Sequence, residues 1–126
     1  MLFKKLNITE YEFSKGEFDH FDGRFTWNDT KYILEIKDRQ IKSTTYSTAI
    51  MEVDKLKSLI DLKEADEQIC YLNFYTDDVA VMFTNKDIKK GKITQKMCNR
   101  TTAIDSGRRL KKVVEIDINN AEKFKL

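Results

Sequence analysis

Two carboxylates and a lysine, Asp22, Glu35 and Lys37, stand out for their types and spacing. The bare string Glu35-Ile36-Lys37 is weak evidence, because Asp29-Thr30-Lys31, Asp61-Leu62-Lys63 and Asp87-Ile88-Lys89 repeat its acidic-x-Lys pattern. Context separates it. Phe18 to Trp27 alternates apolar and polar residues, Asn28-Asp29 reads as a two-residue turn, and Thr30 to Lys37 resumes the alternation. With Trp27 and Thr30 flanking the turn, Asp22 falls opposite Glu35 and His20 opposite Lys37. Phe21, Gly23 and Phe25 then meet Ile36, Leu34 and Tyr32 on the other face. Opposed residues of an antiparallel pair share a face, so this register gathers Asp22, Glu35 and Lys37 and leaves an apolar side for a core. Two opposed carboxylates, with Cβ atoms roughly 5 Å apart, repel each other. A divalent cation with hard oxygen ligands, Mg²⁺ or Mn²⁺, offsets that repulsion. A lysine on the same face suits orienting or deprotonating water and stabilising charge on a phosphate. Metal-assisted phosphodiester hydrolysis needs this set of parts. The plainer reading is a solvated hairpin face on which Lys37 pairs with a neighbouring acid.

The elements around this hairpin must hold it in place. Thr9-Glu10-Tyr11-Glu12 has capping-box spacing and predicts a short helix from about Glu10. From Thr48 to Leu62 the apolar residues Ile50, Val53, Leu56 and Ile60 follow helical spacing, widened by Ala49 and Leu59. Ile69–Phe74 and Val79–Phe83 read as buried strands joined at Thr76-Asp77-Asp78. Lys92–Met97 and Leu110–Ile118 fit strands, and Asn120–Phe124 a last helical turn. This order predicts an α/β or α+β sandwich around a mixed sheet.

Length and composition narrow the class. A chain of 126 residues accommodates one domain, and 11% aromatics argue against disorder. No apolar run could span a bilayer, and the start of the chain lacks a signal-peptide core, so the expected compartment is the cytoplasm with no membrane partner. Cys70, Cys98 and His20 are too few for a structural zinc site, and a single histidine weakens any protease reading. Charge is uneven: residues 1–85 carry eleven basic and sixteen acidic side chains, whereas 86–112 carry ten basic against Asp87 and Asp105. That basic stretch, with Lys89, Lys90, Lys92, Arg100, Arg108 and Arg109, suits a phosphate backbone, the arginines as bidentate anchors.

Asp22, thirteen residues of hairpin, Glu35-Ile36-Lys37 and then a helix resemble the PD-(D/E)XK nuclease superfamily, which includes restriction enzymes, phage nucleases and Holliday junction resolvases. The resemblance spans roughly Glu10 to Phe83, with Phe21 where the name-giving proline would stand. It implies a restriction-endonuclease-like core, with a mixed central sheet, flanking helices and a hairpin carrying the active site. It also implies metal ligation by Asp22 and Glu35, water activation by Lys37 and a further ligand in the Ile36 carbonyl. Many members add an acid from the first helix, for which Glu10, Glu12 and Glu17 are candidates. Glu12 is preferred because Glu10 starts the predicted helix. In the helix after the motif, Glu52 and Lys55 are accessory candidates, and Arg39 directly after it is a phosphate contact. The implied activity is a Mg²⁺- or Mn²⁺-dependent deoxyribonuclease of structure-selective or weak sequence preference, acting as a homodimer or as a subunit of a larger complex. RNA is not separated from DNA by these residues. The alternative is a non-catalytic nucleic-acid- or protein-binding module, for example an inhibitor, that retains the fold.

Overall fold

The structure is a computed structural model that describes residues 2–15, 20–99 and 108–126. A six-stranded mixed sheet forms its centre, in the order β1-β2-β3-β5-β6-β9, and a three-stranded sheet, β4-β8-β7, lies against it. In chain order the elements are α1 (Leu2–Lys5), β1 (Tyr11–Phe13), β2 (Gly23–Trp27), β3 (Thr30–Asp38), β4 (Thr48–Glu52), α2 (Val53–Leu62), β5 (Glu67–Phe74), β6 (Val79–Thr84), α3 (Asn85–Lys89), β7 (Lys92–Asn99), β8 (Arg108–Asp117) and β9 (Glu122–Lys125). The fold is α+β with a mixed central sheet and few flanking helices. No helix among the described residues is long and apolar enough to cross a membrane.

The β2–β3 hairpin has the register expected from its pattern, with Trp27 opposite Thr30 and Gly23 opposite Leu34. Asn28 and Asp29 both take left-handed φ values, 51° and 62°. A two-residue type I′ loop requires this, and Asn and Asp tolerate it well. β3 then runs parallel to β5, pairing Glu35 with Tyr71 and Lys37 with Asn73. A parallel pair needs a crossover, which β4 and α2 supply.

Alternation along β3 and β5 separates two cores. Tyr32, Leu34, Cys70 and Leu72 face Leu2, Phe3 and Ile8 near α1. Ile33, Ile69, Tyr71, Val81 and Phe83 face Met51, Leu59, Val114 and Ile116 of the second layer. Glu35 and Lys37 lie at alternate positions on that second side, so the intersheet face carries the charged residues of the motif.

Three sequence expectations are corrected. No helix starts near Glu10: Tyr11–Phe13 is an edge strand, because Tyr11 and Phe13 alternate with Glu10 and Glu12 and set their rings against Phe3 at 5.4 and 5.9 Å. The helix predicted over Thr48–Leu62 begins only at Val53. Ala49 and Met51 alternate into the core as β4 pairs with β8, a tertiary preference that overrides the local helical spacing. Ile60, assigned to the apolar stripe, is half exposed, and Leu59 is the fully buried residue of α2. The terminal helical turn at Asn120–Phe124 is instead a 3-10 turn at Ile118–Asn120 followed by β9.

Gly23 lets β1 approach the hairpin. A Cβ there would stand 2.7 Å from the Glu12 carbonyl oxygen and 3.2 Å from Phe13 Cδ1. Gly23→Ala should therefore cost roughly 1–3 kcal/mol, as overpacking against backbone does. A lower urea midpoint at unchanged slope would show it, and an unchanged midpoint would mean that β1 yields freely.

Candidate active site

The β2–β3 ladder stops at Gly23–Leu34, one residue short of the opposition expected for Asp22 and Glu35. Asp22 continues irregularly. Its N–H donates to the Leu34 carbonyl at 2.8 Å, its carbonyl accepts from Ser14 N–H at 2.8 Å, and its Oδ2 accepts from Ile36 N–H at 2.7 Å. The side chain thus takes a backbone donor of β3, which draws the carboxylate onto the strand that carries Glu35. The same departure moves Phe21 away from its predicted partner Ile36. Phe21 packs against the intersheet core instead, with the Arg24 guanidinium 4.6 Å from its ring centroid.

Asp22 and Glu35 still come together, by this bridge. Burial first, and then the neighbouring Asp22, push the Glu35 carboxyl up to about 7 against the opposing pull of Lys55. Lys55, in the first turn of α2, places Nζ 3.0 Å from Glu35 Oε2. Glu35 is 8% exposed, so this pair is shielded from solvent on the carboxylate side and weighs more than a surface ion pair.

Lys37 is exposed on the Glu35 side of β3. Glu12 reaches the same face by an unexpected route: it opposes Arg24 across β1–β2, and Arg24 opposes Ile33 across the hairpin. It lines a groove of about 240 Å³ with Phe13, Lys15, Phe21 and Arg24. Glu10 is exposed before β1, and Glu17 lies outside the described residues. Among the described residues no group of three His, Cys, Asp or Glu side chains could hold a metal ion. The pair formed by Asp22 and Glu35 still fits Mg²⁺ or Mn²⁺. Mg²⁺ keeps several waters and is commonly held by one or two carboxylates, and this pair offers hard oxygens already forced together.

Behind the carboxylates lies a polar network not apparent from the sequence. Arg39 donates from Nε to Asn73 Oδ1 at 2.7 Å, and from one terminal nitrogen to the Tyr71 hydroxyl at 2.8 Å and the Ile50 carbonyl at 2.6 Å. The Tyr71 hydroxyl donates to the same carbonyl at 3.0 Å, and burial pushes its ionisation up to about 12. Asn73 is fully buried, and among the described residues its Nδ2 has no hydrogen-bond partner of good geometry. The network ties the ends of β3 and β5 to β4, and so seats α2 with Lys55 over Glu35. An asparagine at alternate spacing from Tyr71 within an apolar run was the available signal.

Glu52, the last residue of β4, pairs with Lys111 at 2.7 Å. Lys111 stands opposite Lys96 in the β7–β8 ladder, and Lys96 pairs with Glu115 at 2.9 Å. Lys89 and Lys90 end α3 and Lys92 begins β7, all three exposed. Arg100 lies outside the described residues, and for Arg108 and Arg109 only the strand backbone is described.

A two-stranded hairpin feeding a parallel neighbour through a strand–helix crossover, with an acid at each end of the hairpin, is the core of a restriction-endonuclease-like fold. The whole chain bears this out: the Holliday junction resolvase Hjc of Archaeoglobus fulgidus, from an archaeal hyperthermophile, aligns over 96% of this chain and 91% of its own at a TM-score of 0.59. Identity is 12%, so the likeness is one of fold alone. No protein-family model matches the sequence, and no curated protein does.

Proposed function

We propose that this chain is a metal-dependent nuclease that hydrolyses DNA phosphodiester bonds with structural selectivity or weak sequence preference. One observation carries the reading: Asp22, just before β2, accepts from the Ile36 N–H with Oδ2 and so sets its carboxylate beside the buried Glu35, whose carboxyl it helps to raise. Such a pair is the expected first half of a cation site. A bound Mg²⁺ or Mn²⁺ would supply Lewis acidity and a water of lowered pKa.

The chain's own groups account for the rest. Asp22 and Glu35 are the ligands, with the Ile36 carbonyl and Glu12 as further oxygens. Lys37, exposed beside them, orients the attacking water and stabilises charge on the phosphate. Glu10, Glu17 and Glu52 are accessory acids at most, and Glu52 is already engaged by Lys111. The cations from Lys89 to Arg109 grip the backbone, with Lys92 and Lys112 exposed on the second sheet. A homodimer, or a place in a larger complex, would bring a second site to a second strand.

The fold neighbour is a Holliday junction resolvase, so branched DNA is the first substrate to test, beside linear duplex and single strands. The wild-type protein should cut at least one of them in Mg²⁺ or Mn²⁺ and not in chelator, and Asp22→Asn should remove the cutting. No cutting by folded protein on any substrate would transfer the reading to a nucleic-acid- or protein-binding module.

A further inference from the structure

Lys55 is the cation that the structure sets against the carboxylate pair. Its Nζ is 3.0 Å from Glu35 Oε2, and the Asp22 carboxylate accepts from the N–H of Ile36, next to Glu35 on β3. The lysine side chain is 40% exposed, whereas that of Glu35 is 10% exposed. The contact is therefore open to exchange from the lysine side only. Its position is fixed by a short rigid path, because Lys55 lies in the first turn of α2 and α2 follows directly from β4, whose Ile50 carbonyl is held by Arg39 and Tyr71. Lys37, in contrast, projects from the exposed end of β3 and makes no ion pair among the described residues.

Resting on the nuclease reading, we infer that Lys55 is a built-in counter-ion that occupies the place of the divalent cation, competes with it for Glu35, and is displaced when the cation binds. A divalent cation bound at Glu35 would meet the Nζ charge at short range, so its binding is expected to lift Nζ from Oε2. The freed ammonium, tethered to the start of α2, remains close enough to meet the negative charge of a phosphate. Lys55 is thus a positioning residue for the metal-free site. It keeps Asp22 and Glu35 together while no cation is present, and it sets a threshold of metal concentration below which the site stays closed.

The test needs no substrate. Mn²⁺ affinity of the full chain would be measured by calorimetry for wild type, Lys55→Met, Lys55→Arg and Glu35→Gln, with melting temperatures recorded with and without Mn²⁺. Lys55→Met should bind Mn²⁺ at least about tenfold more tightly, since a competing charge is gone. Lys55→Arg, which keeps that charge, should stay near wild type. Lys55→Met should also melt below wild type without metal and close the gap when Mn²⁺ is added, whereas a merely structural lysine would leave the gap unchanged. Unchanged or weaker Mn²⁺ binding by folded Lys55→Met would overturn the inference while leaving the nuclease reading standing. Failure of the wild type to bind Mn²⁺, or binding that survives Glu35→Gln, would overturn the metal site itself and the inference with it.

Discussion

Glu35→Gln is expected to abolish metal-dependent cleavage, by about a thousandfold or more, and to leave the fold intact. The size follows from the role: a carboxylate ligand contributes to binding a cation whose charge stabilisation is worth several kcal/mol in the transition state. The amide is isosteric, so the packing around Ile33 and Tyr71 should persist. The metal-free protein offers an independent check through pH. The Glu35 carboxyl titrates near 7 in the folded chain against an ordinary value of 4.5. Its folded value is raised, so below about 4.5 it is protonated in both states and costs nothing. Between about 4.5 and 7 the unfolded state ionises first, and wild-type stability falls as pH rises, reaching its full penalty above 7. Glu35→Gln removes that slope. Denaturant titrations at pH 5 and pH 8 should therefore show a wild-type decline that the variant lacks, and parallel declines would place the burial of Glu35 in doubt.

The second large effect is expected from Arg39→Ala, and it should appear in stability rather than in DNA affinity. Its guanidinium serves Asn73, the Tyr71 hydroxyl and the Ile50 carbonyl. Hydrogen bonds from a charged group contribute about 1.5–3 kcal/mol each at the upper end, and stranded buried partners add their desolvation cost. Fully buried Asn73 would lose the donor that its Oδ1 accepts from as well. A loss of about 3–5 kcal/mol is the expected total, read from denaturant unfolding. A phosphate-contacting arginine would behave oppositely, with little change in stability and a salt dependence of DNA binding reduced by about one ion.

The hairpin was legible because its signals were local. Alternation and a two-residue Asn-Asp loop together specified the register from Trp27–Thr30 to Gly23–Leu34. Lys55 was legible as an accessory candidate, though its partner was not, since sequence spacing does not say which helix face meets which strand. Beyond Gly23 local pattern failed. The departure of Asp22 depends on Ser14 and Ile36, eight and fourteen residues away, and no periodicity encodes such bonds. Glu12 was selected from a helix that does not exist, yet β1 carries it to the face occupied by Glu35 because strand parity decides facing. Arg39 was assigned to phosphate because it directly follows the motif. Its inward turn required Asn73 and Tyr71, more than thirty positions on.

The bond from Ile36 N–H to Asp22 Oδ2 gives this molecule a spectroscopic label of its own. An amide proton that ends on a carboxylate oxygen feels every change in that oxygen's charge. In a nitrogen–proton correlation spectrum, the Ile36 resonance should move as Mn²⁺'s diamagnetic counterpart Mg²⁺ is titrated in. Its slow exchange with deuterated solvent should persist in Asp22→Asn, whose carbonyl oxygen can still accept, and disappear in Asp22→Ala. One backbone signal would then follow the filling of the site and the integrity of the hairpin's end, without substrate or turnover.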